Sequence, residues 1–181
     1  MKRKLRWITE TAIMLALLVT LQALTKPMGQ LVTGSFVNAV LAVSVLVGGL
    51  WCGVTVAVIS PVLAYLLSIA PQILTVPAIM VGNAVFVLLL HFLADPSGKN
   101  LVKQGIAWVT AALAKFAALY AIVVWVICGV LAESLLASGA LKQPMLKALP
   151  ATFSWPQLIT ALIGGAVALL IVPTLRKALK K

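Results

Sequence analysis

Acids, histidine and cysteine are all scarce in this chain: 181 residues hold three Asp or Glu, one His and two Cys. Glu10, Asp95 and Glu133 lie far apart in the sequence, with His91 four residues before Asp95. They make neither a metal-ligand cluster nor a paired-carboxylate acid–base site. No G-x-x-x-x-G-K-[ST], H-E-x-x-H or G-x-S-x-G sequence occurs, which excludes ATP hydrolysis through a P-loop and two common hydrolase signatures. No catalytic residue, metal or cofactor is therefore expected. His91 reads as structural or interfacial. Cys52 and Cys128 fall within or beside separate apolar runs, near opposite faces of the topology below. Neither a disulfide nor a metal framework is expected from them.

Charge of any sign is rare, at 9% against 63% hydrophobic residues and a mean hydropathy of +1.17. That composition excludes a soluble globular class. What is present is a row of six apolar runs, approximately 7–23, 35–50, 53–69, 76–93, 105–130 and 156–175. Each approaches the length needed to cross a hydrocarbon core of ~30 Å at ~1.5 Å per residue. The runs show no period-2 alternation, so they predict helices rather than a barrel. The expected fold is an all-α integral membrane bundle of six transmembrane helices, one domain over residues 1–181.

The cations fall at alternate junctions. Lys2, Arg3, Lys4, Arg6, Lys99, Lys103, Arg176, Lys177, Lys180 and Lys181 collect on one side, and Lys26, Lys142 and Lys147 on the other. This positive-inside bias puts both termini in the cytoplasm. The net charge of +11 thus reads as topology and anionic-headgroup contact, with no nucleic-acid partner. The basic start followed by an apolar run resembles a signal peptide. The lack of a small-residue cleavage site favours a retained first helix.

The inner connections are short, whereas the outer ones at 24–34, 70–75 and 131–155 are semi-apolar and carry Gln30, Gln72, Phe153 and Trp155. Apolar outer loops suit either a lid over a pocket or segments resting in the headgroup zone. Lys115 lies ten residues into the fifth run, near the bilayer centre, where a Lys costs ~2.5–3.5 kcal/mol on insertion scales. It is expected to face a partner or a wet cavity; a ligand role and a purely structural role both remain open. Helical spacing puts Trp108, Leu119, Ile122 and Val126 on its side. Asn83, next to Gly82, needs partners in hydrocarbon and serves either a site or helix packing. The sixth run opens with Ser154 as an N-cap candidate and Pro156 in the first turn, followed by Gln157, Thr160 and Gly164 on one side. Trp125, Trp155, Phe153, Tyr65 and Phe36 fall toward the outer end, as belt residues or as stacking partners for a ligand. On the first helix Ala12 and Ala16 make a small-residue strip for close helix approach. Arg6 and Glu10 are spaced to pair.

Together, six short helices, a basic start, Ala12-x-x-x-Ala16, a long first outer loop, Gly82-Asn83 and Lys115 resemble the substrate-binding S component of energy-coupling-factor (ECF) transporters, prokaryotic vitamin importers. The resemblance covers almost the whole chain and implies a multi-pass protein of a prokaryotic cell membrane. It implies partners as well: a transmembrane scaffold subunit, two ATPase subunits and a small water-soluble vitamin or precursor. Ala12 and Ala16 would dock on the scaffold. Gln30, Gln72, Asn83, Lys115, Trp125, Trp155, Gln157 and Thr160 become the candidate substrate-binding residues. The alternative is a small membrane enzyme, or an accessory subunit of another complex, that uses Lys115 and His91.

Overall fold

A computed structural model describes residues 2–69, 72–98 and 100–179, with side chains from Arg6 onward. Lys99, Lys180 and Lys181, residues 70 and 71 of the 70–75 loop, and the side chains of Lys2, Arg3 and Lys4 lie outside the described residues. The regular elements described are all helical: α1 (Lys2–Thr25), α2 (Gln30–Gly48), α3 (Leu50–Leu66), α4 (Val76–Leu93), α5 (Leu101–Leu119), α6 (Ala132–Ala137), α7 (Met145–Phe153) and α8 (Trp155–Ala178). α5 continues without a break into a π-helical segment, Tyr120–Val130. Among the described residues, five helical runs are long and apolar enough to span a membrane, and α3 is a shorter apolar helix of 17 residues. The chain is a helical, multi-pass membrane bundle.

The helices stop where the backbone chemistry stops them. α2 and α3 meet at Gly49, whose φ of +87° is strained for an L side chain but free for glycine. Asn100 caps α5 by accepting a hydrogen bond from the Lys103 amide at 3.0 Å. Ser154 precedes α8 but makes no side-chain cap bond; only its carbonyl is engaged, by the Gln157 amide.

Two expected loops are mostly helix. The 24–34 segment is not a long loop: α1 runs to Thr25, a 3-10 turn covers Lys26–Met28, and α2 begins at Gln30. Its one real break is Gly29, at φ +90°, and the apolar residues on either side simply continue their helices. The 131–155 segment folds as α6 and α7. Leu149 and Phe153 of α7 are buried with Ala78, Leu119, Val123 and Ile127. That burial lays α7 as a roof across the π segment and the start of α4.

Small residues set the helix approaches. A Cβ on Gly164 would lie 2.6 Å from Asn38 Cβ and 2.7 Å from the Ala39 nitrogen, so α8 rides directly on α2. Gly82 faces Leu119 in the same way, joining α4 to α5. The main core gathers Leu18, Leu41, Val56, Phe86, Val87 and Leu90. α1 is peripheral: only Thr11, Leu18 and Thr25 are buried among its described side chains, a seven-residue spacing that keeps one seam inward. Ala12 and Ala16 are on the exposed side, and Arg6 pairs with Glu10 at 3.0 Å.

Each end of the bundle is tied by a cation on backbone carbonyls. At one end Arg176 donates to Leu46 O at 2.8 and 3.2 Å and to Pro96 O at 3.2 Å. At the far end Lys26 donates to Ser68 O at 2.6 Å, just past α3. Positive charge suits helix C-termini. A labelling experiment checks the cytoplasmic placement of the Arg176 end. In a background lacking Cys52 and Cys128, a membrane-impermeant thiol reagent added outside should modify Cys placed at Gln30, Ser138 or Gln143, all exposed. Ser97→Cys should stay unmodified until the membrane is opened; its labelling from outside would invert the topology.

Candidate functional site

Lys115 sits halfway along the 30-residue helical run Leu101–Val130 and is 2% exposed. Its Nζ donates to Asn38 Oδ1 at 2.6 Å and to Asn83 Oδ1 at 2.7 Å. The two amides come from α2 and α4, so one ammonium ties three helices together. Each amide is held in turn by its own NH2 group. Asn38 Nδ2 donates to Gly34 O at 2.9 Å and to Thr160 Oγ1 at 3.3 Å, and Asn83 Nδ2 reaches Ala57 O at 3.5 Å. Those bonds orient both amide oxygens toward Lys115. Thr160 Oγ1 donates to Gln157 O, and Gln157 Nε2 donates to Thr152 O. The network thus runs from the middle of the Leu101–Val130 run to α7. The Phe86 ring lies 5.5 Å from Nζ, within cation–π range.

Above this network is a cavity of about 170 Å³. Its floor is Asn38, Asn83 and Lys115; its mouth carries Gln22, Lys26 and Gln30; Thr152, Phe153 and Gln157 close one side. Val37, Ile69 and Ile79 supply apolar wall. It lies at the end of the bundle opposite Arg6 and Arg176. Small apolar-walled cavities with a few convergent polar groups are the usual form of a small-molecule site. Two lining side chains carry buried polar atoms that make no hydrogen bond, Gln22 Oε1 and Thr33 Oγ1. Buried polar atoms are normally paired, so each is short of a partner.

Among the residues singled out from sequence, Asn83, Lys115, Gln30 and Gln157 line this cavity. Thr160 is fully buried just behind it, bonded to Asn38. Gln72 is not on the wall and instead bonds the Met145 sulfur at 2.9 Å. Trp125 and Trp155 are outside the cavity and exposed, Trp155 stacked on Phe116 at 5.7 Å. His91 is exposed in the last turn of α4, edge-on to Phe92, eight residues beyond Asn83 and so ~12 Å further along the helix.

The apolar side of Lys115 differs from the expected one. Leu119 is buried as expected, but beyond it Val123 and Ile127 face inward, and Val126 is exposed. A π-helix takes more residues per turn, which moves the fully buried positions to 123 and 127, with Ile122 partly buried against the same cluster and Val126 turned outward. Trp108 does not line the cavity; it packs on Gly165 and donates to Ala161 O at 3.4 Å.

Asn38 is the functional residue that sequence reasoning missed. Its signal was the same as that of Asn83, an amide inside an apolar run. Gln22, Thr33 and Thr152 join the cavity only through the fold, because as single polar residues near helix ends they look like ordinary headgroup contacts.

The fold and site define a multi-pass helical membrane protein with one end hollowed around a buried lysine. Comparison with protein-family models, curated proteins and solved structures found no match.

Proposed function

We propose that the chain is the substrate-binding S component of an ECF-type importer, capturing a small vitamin or related micronutrient at the outer face of a prokaryotic cell membrane. The observation that carries this reading is the cavity itself: floored by a buried ammonium and two oriented amides, walled by apolar residues and roofed by α7. Such a site would hold its ligand within the protein, away from the lipid and beneath α7. Capture of this kind needs no chemistry on the ligand, and the scarcity of acids and histidine agrees with a binding role. Movement inward would be powered by a scaffold subunit and two ATPases, since the chain has no nucleotide-binding motif of its own. The exposed strip of Ala12 and Ala16 on the least buried of the spanning helices suits the scaffold contact: small side chains let a partner helix approach closely. The alternative, an enzyme working through Lys115 and His91, has no observation in its favour.

The test separates capture from delivery. Ala12→Trp/Ala16→Trp should abolish uptake in cells that also express a scaffold subunit and its ATPases, and should remove co-purification with the scaffold. Ligand retention by the isolated protein should be unchanged. Normal uptake by the double variant would rule out this docking face; absence of any retained small molecule in wild-type protein would rule out the binding role.

A further inference from the structure

We infer that the molecule captured in this cavity is a monocarboxylate that also carries a hydrogen-bond donor, and that its carboxylate is the counter-ion of Lys115. The inference rests on the binding role proposed above and specifies the ligand.

It begins from a charge that the chain leaves unbalanced. Lys115 is nine-tenths and more buried, and its two polar partners, Asn38 and Asn83, are neutral amides. None of the three acids lines the cavity. Glu10 pairs with Arg6, Asp95 binds the turn that leads into α5, and Glu133 lies on α6. A second cation, Lys26, stands at the mouth. A cavity holding two lysines and no carboxylate repels cationic ligands and is electrostatically incomplete when empty. Burying an ammonium without an anion is expensive, and close pairing with one offsets the cost.

The available bonds narrow the ligand further. An ammonium has three donors, and the amides use two. The third is left for one oxygen at the cavity floor, which suits a carboxylate; a phosphate dianion, with its larger charge and three acceptor oxygens, calls for a cluster of donors. Near the mouth, Gln22 Oε1 is an acceptor without a donor and Thr33 Oγ1 is unbonded. A hydroxyl or amide N–H on the ligand would supply the donor that Gln22 Oε1 lacks. Between these ends Val37, Ile79 and Phe153 leave room for a short hydrocarbon or ring.

The test uses the full chain in nanodiscs of neutral phospholipid. A methanol–water extract of cells expressing the protein is divided on an anion-exchange resin at neutral pH. The retained and flow-through fractions are each added while thermal unfolding is followed. The retained fraction should raise the unfolding temperature, and mild methyl esterification of that fraction should remove the effect. In Asn83→Asp, a carboxylate of the chain's own takes the place of the ligand's. That variant should unfold at or above the ligand-free wild-type temperature, yet need at least a hundredfold more of the retained fraction for the same shift. Stabilisation by the flow-through would overturn the anionic assignment and leave the binding role standing. A retained fraction unaffected by esterification would overturn the carboxylate. Undiminished response of Asn83→Asp would overturn Lys115 as its partner. If neither fraction stabilises wild-type protein, the binding role fails and this inference falls with it.

Discussion

Asn38→Leu and Asn83→Leu should each destabilise the ligand-free protein by about 1.5–3 kcal/mol, the range for a hydrogen bond to a charged group. Each removes one of the two oxygens that Lys115 Nζ contacts at 2.6 and 2.7 Å and leaves the ammonium underpaired between helices. The triple variant Lys115→Met/Asn38→Leu/Asn83→Leu should recover most of that loss. An apolar cluster of similar volume needs no buried hydrogen bonds, and replacing a whole buried polar group is often neutral or stabilising. Lys115→Met alone should fall between: it forfeits two charge-assisted bonds but also the cost of desolvating the cation. Both Lys115 variants should lose ligand affinity by about tenfold or more, the worth of a charged hydrogen bond. Reversible unfolding in a mixed detergent, with ligand retention on the same samples, measures both effects. Additive losses in the triple variant would mean that the three residues do not act as one unit.

Gly164→Val should prevent the bundle from closing. Even the first added carbon meets the Ser35 carbonyl, Asn38 Cβ and the Ala39 nitrogen. Two of these are backbone atoms that no rotamer change can move. α8 must then back away from α2, which opens the main core and pulls Asn38 from Lys115. Overpacking costs ~1–3 kcal/mol where side chains can yield, and here the cost should exceed that range. The expected result is aggregated or protease-sensitive protein, seen by size-exclusion chromatography and limited proteolysis. Gly105→Val is the control, because its Cβ would meet nothing within 4 Å. A well-folded Gly164→Val protein would show that the α2–α8 contact is looser than its geometry.

Much of this was legible in the residue order, and the misses have local causes. Six apolar runs and the placement of lysines and arginines are one-dimensional facts, and they foretold the helices and the special standing of Lys115. Helix ends were less legible: a semi-apolar stretch such as 24–34 reads as a loop because of Pro27, Gly29 and Gly34, but only Gly29 breaks the chain. The inward face past Leu119 was misread because a π segment changes the period, and no residue type marks it.

Hydrophobicity against the cost of unpaired backbone groups in lipid dictates a helical membrane protein from sequence alone. The same accounting says that a lysine in mid-span needs partners. Which partners it finds is a property of the tertiary structure. Asn38 and Asn83 meet Lys115 because Gly164 and Gly82 let α8 onto α2 and α5 onto α4, placing residues 77 and 32 positions from Lys115 within hydrogen-bond reach. Close approach depends on the shapes of two helices at once, so neither run carries it by itself. The absence of any acid at that meeting point is likewise visible only once the helices are packed.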